Sequence, residues 1–182
     1  MYKASFIAVV LIILALISLT VFMMFRPSLD RIHSKIEGQF TSVQHIKNDA
    51  LATLNKQDVV IFDIREKPEF HVSHLRGAIH VLPSVSAHDF FTQYSHIIKN
   101  KQAIFYCSVG YRSSAFIEKL NKFNRNKDHS TSNMVNLQGG LFKWSNQNKP
   151  IIGEGVHPYN DFWSKLINDK HKIRYLPFDR SN

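Results

Sequence analysis

The chain has 182 residues and a formal net charge of +9, with 23 Lys and Arg against 14 Asp and Glu, and it holds a single cysteine. An apolar leader and a tail leave one domain of ordinary size, long enough to bury a core, while a lone cysteine excludes an internal disulfide and a cysteine-based zinc site. The basic residues are scattered among Asn and Asp with no basic-aromatic repeat or recognition-helix motif, which argues against nucleic acid and for a surface near anionic lipid headgroups.

Residues 6–25 carry no charge and only Ser18 and Thr20 as weakly polar members. As a helix they span about 30 Å, the thickness of a bilayer core, so the pattern predicts one N-terminal transmembrane helix. The run exceeds the roughly 7–15 apolar residues of a signal peptide, and Met23-Met24-Phe25-Arg26-Pro27 lacks a small-x-small cleavage pattern, which predicts an uncleaved anchor. Only Lys3 precedes the span, whereas Arg26, Arg31 and Lys35 follow it. The positive-inside bias therefore places the remainder in the cytoplasm, as a single-pass protein of a bacterial inner membrane, with membrane lipid as the partner of residues 6–25.

Residues 26–39 read as a polar linker. Val43, Ile46, Ala50, Leu51 and Leu54 then fall on one helical face. Val59-Val60-Ile61-Phe62 is continuous rather than alternating, the pattern of a strand buried on both faces. Phe90, Phe91, Tyr94, Ile97 and Ile98 predict a helix, residues 103–106 a strand, and Phe116, Leu120 and Phe123 another helix. Residues 121–133 read as a loop, and Met134-Val135-Asn136-Leu137 as a strand. Gly139-Gly140 precedes a short segment with Leu141, Phe142 and Trp144, the last expected in the core. This alternation predicts an α/β domain over 40–152, its mainly parallel central sheet flanked by helices. The tail, 153–182, is basic and aromatic and is expected to pack back on the domain.

Cys107 sits at the turn between a predicted strand and a predicted helix. Unpaired N–H groups of the coming helix, with its positive dipole end, favour an anion there, such as a thiolate. Gly110 lets the backbone curl, and Arg112 adds a permanent cation. The stretch Ser108, Val109, Gly110, Tyr111, Arg112 and Ser113 thus reads as an anion cradle with the nucleophile Cys107 at its base; an inert buried thiol is the plainer alternative. Asp63 and Arg65, at the end of a predicted strand, either line the pocket or form a structural ion pair, and the supporting role is preferred. Glu69 reads as a solvated helix charge or a salt-bridge partner. His71 and His74 are three apart without a third ligand, so no metal site is predicted.

Three segments in register resemble the rhodanese-like domain family: Phe62-Asp63-Ile64-Arg65-Glu66 with Glu69-Phe70 and His74 to Ile79; Tyr106-Cys107 through Ser113; and Asn136-Leu137-Gln138-Gly139-Gly140 with Trp144. Ser73 stands where a glycine is usual and Arg76 where a proline is common. The resemblance implies a sulfurtransferase. Cys107 would take the outer sulfur of a donor such as thiosulfate as a persulfide and pass it to cyanide or another thiol; Arg112 would attract the donor and Tyr111 would shape the entrance. It implies no cofactor and names no protein partner. Phosphatases of the related fold place one residue more between Cys and Arg than the four found here, Ser108 to Tyr111. Phosphate or arsenate chemistry and a non-catalytic binding module are the alternatives.

Overall fold

The structure is a computed structural model that describes residues 2–25, 27–124 and 133–175, the side chains of 2–5, 8–9 and 22–25 lying outside the described ones. The chain opens with helix α1 (Tyr2–Phe25), whose described side chains are open, Phe6 at 70% and Leu11 at 60% exposure. Among the described residues no helix is long and apolar enough to cross a membrane. The span expected at 6–25 includes 8–9 and 22–25, whose side chains lie outside those described.

The expected linker is in fact a second helix, α2 (Leu29–Gln39). Ile32 and Ile36, four residues apart, share one side of it, and Ile36 and the following Phe40 enter the core. The stripe is narrow, and the polar residues around it hide it in sequence. The helix expected over 43–54 is likewise divided into strand β1 (Gln44–Ile46) and helix α3 (Asn48–Thr53). Backbone pairing at a sheet edge overrides the local periodicity, because β1 lies parallel to residues 135–137.

The elements that follow are β2 (Val59–Asp63), α4 (Lys67–Val72), β3 (Ser73–His74), β4 (Ile79–His80), α5 (Ala87–Ile98), β5 (Gln102–Tyr106), α6 (Tyr111–Asn124), β6 (Met134–Leu137), α7 (Gly140–Asn146) and β7 (Ile152–Gly153). Helix α6 continues into the segment expected as loop, whose residues 125–132 lie outside the described ones. The tail adds α8 (Asp161–Ser164) and a 3-10 turn, Lys170–Lys172.

Five strands form a parallel sheet in the order β1-β6-β5-β2-β4, and β3 pairs with β7 in a separate antiparallel ribbon. Along β5 the side chains alternate between two layers. Ala103 and Phe105 join Phe90 of α5 and Phe116 and Leu120 of α6. Ile104 and Tyr106 join Leu51 of α3, Leu141 and Phe142 of α7, and the tail residues Val156, Leu166 and Ile167. The tail therefore docks on the domain, with Val156 and Ile167 fully buried. From β2 the chain moves to β4 on one side; from β5 it moves to β6 on the other. The carboxyl ends of β2 and β5 thus flank the position where open α/β sheets form a ligand crevice, and Cys107 is the residue that follows β5.

Candidate active site

Cys107 is only 1% exposed, and its Sγ accepts the Gly110 N–H at 3.1 Å. The loop carbonyls are engaged elsewhere. Leu141 and Phe142, in the first turn of α7, donate to Cys107 O and Ser108 O at 2.9 and 3.0 Å, and Ser114 donates to Gly110 O from both its N–H and its hydroxyl. Gly110 has φ +101°, a conformation other residues rarely adopt. Ser113 is fully buried and donates its hydroxyl to Asn136 Oδ1 at 2.6 Å, tying the start of α6 to β6. Val109 is buried in the second core layer. Tyr111 is 46% exposed, edges onto Phe40 at 5.3 Å and accepts a hydrogen bond from Gln39 Nε2.

Close packing of α7 on the loop depends on Gly140. Its φ is +56°, and a Cβ there would lie 2.2 Å from Cys107 O and 2.8 Å from the Ser108 carbonyl carbon. Neither atom belongs to a flexible side chain, so Gly140→Ala is expected to cost about 3 kcal/mol and to displace the cysteine loop. A urea melt of the variant checks this; an unchanged midpoint would show that the loop yields freely.

Arg112 is not the free cation that the sequence suggests. Its Nη1 and Nη2 donate to Glu69 Oε2 and Oε1, both at 2.7 Å, and Nη2 also reaches Ser108 Oγ at 2.9 Å. The Ser108 hydroxyl in turn donates to Glu69 Oε1 at 2.7 Å. Burial opposes the Arg112 charge, but the Glu69 hydrogen bonds and the nearby Cys107 outweigh it, so the guanidinium pKa lies above its ordinary value. For Glu69, burial favours the neutral acid and is outweighed by Arg112 and then Ser108, which hold the carboxyl below its ordinary range. Glu69 is 1% exposed, so the solvated reading is corrected and the salt-bridge reading stands. The pair neutralises itself and braces Ser108, the residue next to the nucleophile. Tyr159 of the tail stacks on the other side of the system, its ring centre 5.2 Å from the Arg112 guanidinium carbon.

Asp63 and Arg65 form the structural ion pair. Both are fully buried, with Arg65 Nη2 and Nε donating to Asp63 Oδ2 and Oδ1 at 2.6 and 2.9 Å and Nη2 also donating to the Ser73 carbonyl. The pair anchors the end of β2 to β3. Ser73 has φ −169°, extended backbone open to any residue, so its replacement of a usual glycine carries no strain. His74 stacks on Phe70 at 4.1 Å and meets the Phe70 carbonyl through Nδ1. Among the described residues no group of three or more His, Cys, Asp or Glu is arranged to hold a metal ion.

Sequence reasoning assigns no site contact to Asn136, Gly140 or Tyr159, and it allows Glu69 a salt bridge without naming the partner. Only the double glycine, 139–140, carried a local signal.

The rhodanese-like domain family model matches residues 47–147, from just after β1 to the end of α7. The chain belongs to the rhodanese-like domain family. The match leaves α1, α2 and the tail outside the rhodanese-like part. Among curated relatives, the tRNA uridine(34) hydroxylase of Aster yellows witches'-broom phytoplasma is 28% identical over 147 residues, which cover 77% of this chain and 44% of that protein. The uncharacterized protein YibN of Escherichia coli K12 is 25% identical over 107 residues, 58% of this chain and 69% of that one. This chain thus spans less than half the length of the hydroxylase. Among solved structures, the thiosulfate sulfurtransferase of Pseudomonas aeruginosa aligns with a TM-score of 0.50 and 15% identity, covering 75% of this chain and 25% of that one. The As-Sb reductase of Leishmania major aligns with a TM-score of 0.53 and 14% identity, covering 64% and 89%. At such identities the likeness is one of fold, and rhodanese-like folds carry more than one chemistry.

Proposed function

We propose that the protein is a sulfurtransferase that carries sulfane sulfur on Cys107. The Cys107 thiolate attacks the outer sulfur of thiosulfate; the S–S bond of the donor breaks and sulfite leaves with its electron pair. The enzyme holds a persulfide. Attack of cyanide on the outer sulfur gives thiocyanate and returns the thiolate; an acceptor thiol takes the sulfur in the same way. The observation that carries this reading is the Gly110 N–H aimed at Cys107 Sγ from the start of a 14-residue helix, which gives a negative charge on that sulfur a hydrogen-bond donor. Glu69 speaks against phosphate-ester cleavage: the acid nearest the loop is held ionised by Arg112 and has no proton to give a leaving group at neutral pH.

Mass spectrometry of the full chain after thiosulfate exposure tests the proposal. The expected result is one added sulfur on Cys107, removed by cyanide or by a reductant. Absence of the adduct, with the fold intact, would favour a non-catalytic binding module.

The same proposal places the protein on a membrane. Exposed Phe6, Leu11, Leu14 and Ile17 have no burial against the domain, and residues 6–25 are free of charge. With Arg31 and Lys35 following, the domain lies on the cytoplasmic face of an inner membrane. Protease added to intact spheroplasts is expected to leave the domain uncut until detergent is present. Digestion without detergent would reverse the orientation.

A further inference from the structure

A cavity of about 710 Å³ lies apart from the cysteine loop and contains none of its residues. Its wall is aliphatic, with Leu51, Leu54, Ile61, Leu75 and Ile151, and Trp144 is its one aromatic member. The residues around it include no carboxylate but four cations, Lys56, Arg76, Lys101 and Lys149. Lys149 is paired with Asp49 at 2.7 Å. Among the described residues, Lys56, Arg76 and Lys101 have no ion-pair partner. Leu54, Ile61 and Ile151 are only half-buried, so the apolar wall is reached from outside.

The size falls within the range of small-molecule sites, roughly 300–1,000 Å³. An apolar wall beside unpaired cations, with no acid to neutralise them, complements a ligand that is apolar along most of its length and anionic at one end. A lining that is aliphatic almost throughout suits a flexible acyl chain better than a stack of rings, which would call for aromatic partners. We propose that this cavity binds a long-chain fatty acid as its carboxylate, the chain against Leu51, Leu54, Ile61 and Trp144 and the head among Lys56, Arg76 and Lys101. The proposal is independent of the sulfur chemistry at Cys107.

The test uses the full chain in phosphatidylcholine nanodiscs and palmitic acid carrying a terminal diazirine. After irradiation, peptide mass spectrometry is expected to find label in residues 51–61 and 144–152. Unlabelled palmitate should compete at least tenfold better than hexadecanol, which has the chain without the charge. Lys56→Glu/Lys101→Glu should lower labelling at least tenfold with the thermal unfolding midpoint unchanged. Label confined to α1, equal competition by hexadecanol, or indifference to the charge reversal would overturn the proposal. Labelling of the same peptides by a diazirine phosphatidylcholine as strongly as by the acid would overturn it too, assigning the cavity to bilayer lipid. The hexadecanol comparison is made on the unaltered chain, so it decides the matter even where the double variant does not fold.

Discussion

Cys107→Ser is expected to lower thiocyanate formation from thiosulfate and cyanide by about three orders of magnitude or more, the scale on which loss of a covalent nucleophile acts. The fold should survive. Serine is slightly smaller than cysteine, and its oxygen can still accept the Gly110 N–H that now reaches Sγ at 3.1 Å. A hydroxyl at neutral pH is a far poorer nucleophile than a thiolate, and among the described residues the hydrogen bond to this side chain comes from a backbone N–H, which cannot act as a general base. The pair of measurements is the steady-state rate and the urea midpoint. Turnover close to that of the unaltered protein would remove Cys107 as the sulfur carrier and leave the loop as a binding cradle.

Arg112→Ala is expected to lower both stability and the maximal rate, whereas a residue that only attracts the donor would, on removal, raise the Michaelis constant more than it lowers the maximal rate. It leaves the Glu69 carboxylate, 1% exposed, without its cation and takes one partner from Ser108. Breaking a buried pair costs 3–5 kcal/mol; Arg112 is a quarter exposed, so solvent screening puts the loss at about 3 kcal/mol or below. Arg112→Ala/Glu69→Ala should be more stable than the single variant, because no lone buried charge remains. The pH dependence follows from the lowered Glu69 pKa. The ionised carboxylate contributes its full stability above the ordinary value of 4.5 and loses it as the pH falls from there through the lower folded value. Glu69→Gln should therefore be less stable at pH 7 and show a flatter acid limb. A raised Michaelis constant for thiosulfate with unchanged stability and rate would restore Arg112 as a free anion attractor.

The parts legible in the sequence were those whose cause is local. Strands β2 and β5 announce themselves as continuous apolar runs because a parallel sheet with both faces covered needs no polar alternation. Helix α5 shows a full apolar face. Helix α2 escaped because two isoleucines and a following phenylalanine do most of its packing amid charged residues. Strand β1 escaped because three residues pairing at an edge leave almost no periodic trace. The Asp63–Arg65 pair was within reach of sequence reasoning, the partners lying two residues apart at one strand end.

The sequence by itself determined the candidate nucleophile, its place between a strand and a helix, the short spacing to Arg112, and the alternation that makes a parallel sheet. These follow from residue identity and from patterns within a few turns of chain. Only the tertiary structure decided what Arg112 does. Its partner Glu69 lies 43 positions away on another helix, and no local pattern encodes an ion pair formed by two elements meeting at the ends of β2 and β5. The same holds for Gly140, which approaches Cys107 across the sheet, and for Tyr159, which the docked tail brings over Arg112. Burial and distance between remote segments set the charge state and shape of the site, and those quantities exist only once the chain has folded.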